Sequence, residues 1–283
     1  MENPRLKIAW VVGGSSGLGL TIASELLGKG YRVTLFARDL DRLERARQWL
    51  LASDSTVSAE EVRVEVCDAA NLDSITRSFT RHFAECGRLD LLVNAVGQSC
   101  RSSVAEPNFN LYREMMEVNY FAVVHSTLLA LPWLIEQQGS LVNIATLAAK
   151  TPWPWIAPYG AAKAAVANFT DNVRLETSDK VHVLLVCPGP IRRDDSGHRY
   201  AAQTAGMSES ANRPGAGAPV STICPHWLAK RIVKAIERRQ IWLVFPWKVR
   251  VLLAVQAISS RLGQWLSKRL TRRALHSQSS NLS

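Results

Sequence analysis

The stretch Gly13-Gly14-Ser15-Ser16-Gly17-Leu18-Gly19 constrains this chain more than any other. It follows a short apolar run over residues 6–12, rich in Ile and Val. It precedes helical spacing through Leu20, Ala23, Leu26 and Leu27 that stops at Gly30. Glycines at 13, 17 and 19 between a strand and a helix permit a tight turn and close strand–helix packing. They also let a backbone approach a pyrophosphate at the positive end of the helix dipole. Glycine-rich turns without a ligand are common; the strand before and the helix after make this one a nucleotide cradle.

The pattern then repeats. Strands are predicted over 31–37, 61–66, 89–95, 140–145 and 181–187, with helices over 39–52, 71–86, 109–137 and 157–178 between them. A helix over 227–239 and a short strand over 241–245 close the series. Alternating β and α with apolar strands gives an α/β fold, a doubly wound parallel sheet of Rossmann type. Residues 1–246 form one domain, with 188–225, rich in Pro, Gly and Ser, as its substrate loop. Residues 247–283 form a basic apolar extension.

The second strand ends Phe36-Ala37-Arg38. A chain choosing NAD usually places an acid there for the ribose hydroxyls. Ala37 lacks one, and the Arg38 guanidinium suits a 2′-phosphate, so the cofactor reads as NADP(H) rather than NAD. Further on, Tyr159 and Lys163 stand at i and i+4 on one helix face, with Thr146 at the end of the strand before them. In isolation such a pair is an ordinary helix surface.

With the glycine turn, Asp68, Asn94-Ala95-Val96-Gly97, Asn119, Thr146, the YxxxK pair and Pro188-Gly189 in this order, the chain resembles the short-chain dehydrogenase/reductase family from Leu6 to about Phe245. The resemblance implies hydride transfer between the nicotinamide and a carbonyl or secondary alcohol. Tyr159 is then the acid/base, Thr146 bonds the substrate oxygen, Lys163 holds the nicotinamide ribose and Asn119 positions a water. Cofactor contacts fall to Gly13, Ser15, Ser16, Gly17, Leu18, Gly19, Arg38, Asp68, Asn94, Ala95, Tyr159, Lys163, Pro188, Gly189 and Ile191. An ammonium beside a phenol favours the phenolate, so Lys163 is expected to lower the Tyr159 pKa.

Three positions depart from the family pattern: Val12 and Thr146 replace Thr and Ser, and Arg193 stands where the family often has Thr on the carboxamide. Arg192 and Arg193 with Asp194 and Asp195 could instead form an ion-pair cluster. A nucleotide-binding sensor without turnover is the competing reading, and Thr146 and Arg193 are its only support.

Charge is unevenly placed. Residues 1–226 hold 22 Lys and Arg against 23 Asp and Glu, whereas 227–283 hold 12 against one acid, Glu237. A uniformly basic nucleic-acid binder is excluded, and no binding motif accompanies the charge. The tail interleaves Trp247, Val251, Leu252, Leu253, Val255, Ile258, Leu262, Trp265, Leu266 and Leu270 with Lys248, Arg250, Arg261, Lys268, Arg269, Arg272 and Arg273. Its longest uncharged run, 251–260, falls short of the ~20 residues of a spanning helix. Two readings stay open for 247–273: a helix on an anionic membrane surface, or one packed over the pocket or a subunit interface. Five cysteines without a CxxC pair fit a reducing compartment, and no metal-ligand spacing occurs. The polar start, with an apolar run too short for a signal peptide, places the chain in the cytoplasm, with a peripheral location at the inner membrane face if the tail docks. The helices over 109–137 and 157–178 suggest a homo-oligomer by analogy with the family.

Overall fold

The computed structural model describes residues 6–106, 108–177, 179–193 and 199–259, together with 261 and 265. Seven parallel strands form one sheet in the order β3-β2-β1-β4-β5-β6-β7. They are β1 Lys7–Val12, β2 Tyr31–Ala37, β3 Val62–Val66, β4 Leu91–Asn94, β5 Ser140–Ile144, β6 His182–Pro188 and β7 Trp242–Phe245. The helices are α1 Gly17–Leu27, α2 Leu40–Ser53, α3 Leu72–Cys86, α4 Phe109–Met116, α5 Ala122–Glu136, α6 Ala157–Glu176, α7 Glu209–Asn212, α8 Pro225–Glu237 and α9 Lys248–Ile258.

The strands are buried on both faces, and their period of two sorts the core. Ala9, Val11, Val33 and Leu35 face one way, packing with Ile22, Leu26, Leu43 and Ile232 of α1, α2 and α8. Ile8, Trp10, Val12 and Phe36 face the other, packing with Phe79, Leu134 and Val173 of α3, α5 and α6. Several helix starts are set by side chains that accept a first-turn N–H. Asp39 accepts from Arg42 N at 3.0 Å and Asn71 from Ser74 N at 2.9 Å. Because β1 pairs with β2 on one side and β4 on the other, the strand order reverses there. The carboxyl ends of β1 and β4 open onto that switch point, where ligands bind in such sheets.

Two elements differ from the sequence expectation. Residues 109–137 do not form one regular helix: between α4 and α5, Glu117–Phe121 is π-helical. The helical path from Phe109 to Glu136 is long and apolar enough to cross a membrane by length and composition. It instead buries Ala122, Val123, Ala130 and Leu134 within the domain. Within 188–225, α7 and a 3-10 turn, Pro214–Gly217, break the irregular stretch.

The start of the tail packs on the domain. Val249 and Leu253 of α9 lie against Leu147, Val166 and Val244, while Trp247, Val251 and Ile258 are exposed. The tail residues Leu262, Leu266, Lys268, Arg269, Leu270, Arg272 and Arg273 lie outside the described residues, as do Asp194 and Asp195.

Candidate active site

The glycine turn follows β1 directly, and its glycines serve different needs. A Cβ on Gly13, whose φ is +81°, would stand 2.7 Å from Val96 N. One on Gly19 would stand 2.3 Å from Gly13 O. Neither fits without moving backbone, so these two close the strand–turn–helix packing. Gly17, φ +55°, is open: the nearest atom to a Cβ there is Arg193 Nη1 at 3.9 Å. Ser16 caps α1 with its backbone only, no side chain bonding the first-turn N–H groups, and no acid stands in that turn. These N–H groups and the dipole behind them are the donors an anionic group would use.

The other predicted cofactor residues surround this turn. Ser15 and Leu18 are half-buried, and Arg38 is exposed immediately after β2. Asp68 follows β3 and accepts from Ala70 N at 3.1 Å. Ala95 donates its N–H to Val12 O at 2.9 Å, holding the chain after β4 beside the turn. Pro188 ends β6, and Gly189 N bonds Phe245 O at 2.8 Å. Ile191 bridges to Ile223, and the Arg192 N to Ile223 O bond at 2.9 Å carries the chain to Arg193.

The Asn94 side chain is fully buried and bonded within the domain. Its Nδ2 donates to Thr127 Oγ1 at 3.1 Å and to Asn143 Oδ1 at 2.9 Å, and its Oδ1 accepts from Ser126 Oγ at 2.7 Å. Asn143 passes the network on to Thr170 Oγ1 at 2.9 Å. The polar side chains on α5 and α6 were the signal: Ser126, Thr127 and Thr170 sit within otherwise apolar faces.

The structure brings Asn119, Lys163, Thr146 and Tyr159 to the ends of β4, β5 and β6. Asn119 sits in the π-helical segment, fully buried, its Oδ1 accepting from Gln98 N at 3.1 Å. Its Nδ2 donates to Gln98 O at 2.9 Å and Met115 O at 3.0 Å. Lys163, 3% exposed, donates from Nζ to Ile144 O at 3.0 Å and Val96 O at 3.3 Å. Both groups meet at Gly97, where a Cβ would lie 2.6 Å from Asn119 Oδ1 and 2.9 Å from Lys163 Nζ. Thr146 Oγ1 accepts from Ala148 N and donates to Pro188 O, each at 3.4 Å. Its hydroxyl faces Tyr159 closely enough to lower that phenol's pKa against the effect of burial.

Electrostatics here run opposite to the expected depression of the phenol. Burial pushes the Tyr159 pKa up to about 12, the Thr146 hydroxyl opposing it. Tyr200 and Cys100 add to the rise, and Arg101 counters it. Burial also lowers Lys163 to about 8. Desolvation disfavours both charged forms, and the Lys163 ammonium is directed at two backbone carbonyls rather than at the phenol. Sequence reasoning missed Gln98, the partner of Asn119, and Arg101 and Tyr200 beside Tyr159.

The short chain dehydrogenase family matches residues 7–203, most of the described chain. The chain belongs to the short-chain dehydrogenase family. This short-chain dehydrogenase is 33% identical over 236 residues to a dehydrogenase/reductase SDR family protein 7-like of Drosophila melanogaster, covering 83% of this chain and 71% of that protein. A Dictyostelium discoideum protein of the same name matches at 31% over 185 residues, 65% of this chain and 58% of its own length. An Arabidopsis thaliana 11-beta-hydroxysteroid dehydrogenase 1A matches at 28% over 270 residues, 93% of this chain and 75% of that one. Among solved structures, an actinorhodin polyketide ketoreductase with NADPH aligns with TM-score 0.72 and 25% identity, covering 87% of this chain and 97% of its own. As a member of this family the protein is an oxidoreductase acting on alcohol or carbonyl groups.

Proposed function

We propose that this short-chain dehydrogenase transfers hydride between NADP(H) and a carbonyl or secondary alcohol, with Tyr159 as acid/base. The observation that carries the reading is the convergence at one sheet end of the Tyr159–Thr146 hydroxyl pair with Asn119 and Lys163, which meet at Gly97. The residues present fit the cofactor: the open Gly17, the uncapped first turn of α1 and the exposed Arg38 form a cradle for phosphate groups. The solved ketoreductase holds NADPH, which supports the same cofactor here. Arg38 without an acid at Ala37 supports NADP over NAD.

When bound, the nicotinamide supplies or accepts the hydride. The chain's own groups manage the proton and the position. Tyr159 is protonated at neutral pH, as any phenol is, and would donate that proton to a carbonyl oxygen, although burial alone makes it a weaker acid. Thr146 Oγ1, facing that phenol, steers the same oxygen, and its extra methyl narrows the rotamer choice. Lys163, held under Gly97 by two carbonyls, reaches the ribose side of the cofactor. Asn119 fixes the backbone of Gln98 and orders a water in the proton path. The segment 188–225 forms the substrate wall, and a lipophilic ketone suits the apolar tail beside it.

We also assign residues 1–246 to the catalytic domain and 247–283 to a basic extension, which either lies on an anionic membrane surface at the cytoplasmic face or packs over the pocket or a subunit interface, as Val249 and Leu253 do against the domain. Exposed Trp247, Val251, Ile258 and Trp265 support the membrane placement. Exposed Phe109, Phe121 and Leu128 within 109–137 and Leu175 on α6 support a homo-oligomeric contact through these helices.

The test is NADPH oxidation against ketones ordered by chain length, with Tyr159→Phe as control. Absence of turnover with every ketone, and with alcohols and NADP in reverse, would favour a sensor instead.

A further inference from the structure

Arg101 is buried, 4% exposed, and no carboxylate among the described residues pairs with it. Its guanidinium is spent on neutral oxygens, two of them from a distant segment and two from its own. Nε donates to Ala211 O at 2.6 Å, Nη2 to Arg213 O at 3.3 Å, and Nη1 to Cys100 O at 2.9 Å and Ser99 Oγ at 3.3 Å. The Tyr200 ring lies under it, 3.9 Å from Cζ to the ring centre. Its own N–H donates to Gln203 Oε1 at 2.7 Å. One residue therefore holds the 199–217 segment at its start, through Tyr200 and Gln203, and at α7 and its end, through Ala211 and Arg213.

The segment lies on the domain through few long backbone bonds of its own. Its internal backbone bonds are local, such as Thr204 N to Tyr200 O and Ala211 N to Ser208 O, each 2.9 Å. No sheet ladder includes it. Trp153 Nε1, bonded to Ala216 O at 2.8 Å, pins its far end.

The other side of Arg101 leads straight to the reactive phenol. Cys100 packs with Tyr159, Met115 and Ala162. Ser102 N bonds Trp155 O at 2.9 Å, joining the strand of residues around 101 to the start of α6. Arg101 thus stands between the loop and the helix that carries Tyr159.

We propose that Arg101 is a positioning residue that clamps the 199–217 segment against the Tyr159 site and so fixes it as a substrate wall. A buried cation that meets only neutral oxygens is costly unless all its donors are filled, so the loop and the arginine depend on each other. Lysine, a point donor without the planar fork, cannot span Ala211, Arg213 and Cys100 together. The clamp itself stands on these contacts alone; its use in seating substrate rests on the function proposed above.

The test is hydrogen exchange of the full chain with Arg101→Met, Arg101→Lys and Tyr200→Leu, the last removing the stacked ring while leaving the buried cation. The expected result is exchange in 199–217 about tenfold faster in Arg101→Met, since one hydrogen bond to a charged group is worth at least that factor. Tyr200→Leu should give a smaller rise in the same amides, with β1, β4 and β5 unchanged in all three. Unchanged exchange in 199–217 would overturn the proposal, and so would equal acceleration across the strands, the mark of a merely structural arginine. If Arg101→Met does not fold, Tyr200→Leu decides by the same criterion. With a ketone that turns over, KM should rise about tenfold while kcat changes less than about threefold, the signature of lost substrate positioning. Faster loop exchange in a chain that reduces no ketone would leave the clamp standing and count against the proposed function.

Discussion

Replacing Asn94 by Leu separates two roles that the family resemblance merges. Leucine keeps much of the side-chain volume, so the main loss is polar. Three hydrogen bonds disappear: to Thr127 Oγ1 at 3.1 Å, to Asn143 Oδ1 at 2.9 Å, and from Ser126 Oγ at 2.7 Å. Ser126 is not stranded, because its hydroxyl also donates to Ala122 O at 2.7 Å. Thr127 Oγ1 and Asn143 Oδ1 each lose a donor in a fully buried setting. At about 1–3 kcal/mol for each of these two orphaned buried groups, the expected destabilisation is roughly 2–6 kcal/mol. Against the ~5–15 kcal/mol of a typical domain, that is a large share. Urea unfolding followed by tryptophan fluorescence measures it, and NADPH titration of the folded fraction measures the second quantity. Because the Asn94 side chain is bonded within the domain, cofactor affinity should stay within about threefold, less than the loss of one ordinary hydrogen bond. A stability loss below about 1 kcal/mol would refute the network argument. A tenfold loss of affinity at unchanged stability would instead return the side chain to the cofactor.

Other substitutions test the site directly. Tyr159→Phe should lower turnover by about 10²–10⁴, with NADPH affinity nearly kept, as expected for loss of a general acid; stopped-flow and binding titrations check both. Arg38→Ala should weaken NADPH by roughly tenfold to a hundredfold and leave NADH unchanged, because a charge-assisted bond to the 2′-phosphate is lost. Gly19→Ala puts a Cβ 2.3 Å from Gly13 O, and the expected result is a lower melting temperature together with weaker NADPH binding. Lys163 titrates near 8 when folded and at 10.5 in the unfolded chain, so the unfolded state binds more protons between those values. Stability should therefore rise with pH from about 8, and Lys163→Met should abolish that rise in unfolding titrations. Tyr159 has the opposite sign: its folded pKa of about 12 lies above the ordinary 10.0, so its contribution is present below pH 10 and lost toward 12.

Much of the fold was legible because both strand and helix periods were strong. The 31–37 strand was read at its observed bounds. The glycine turn was legible from the strand before it and the helix after it, and Thr146 beside Tyr159 was expected from the family resemblance rather than from spacing. The phenol's pKa was not legible. The sequence shows Lys163 four residues from Tyr159, but only the fold shows its ammonium turned to Ile144 O and Val96 O. Asn94 and Arg101 were hidden for a related reason. Each is defined by partners distant in sequence: Thr127 and Asn143 for one, Ala211 and Arg213 for the other. No local period encodes such pairs.

The π-helical turn at Glu117–Phe121 has a consequence for how α4 and α5 share the work. Such a turn amounts to one residue inserted into a regular helix, and one residue is about 100° of rotation. The helix downstream is therefore out of phase with the helix upstream. Met115 of α4 can face Tyr159 and α6 while Ala122 and Leu134 of α5 face the sheet. Deleting a single residue such as Val118 would bring the two halves back into phase, forcing one apolar stripe to serve two differently placed neighbours. Asn119 would then swing away from Gln98 without any change in its own identity.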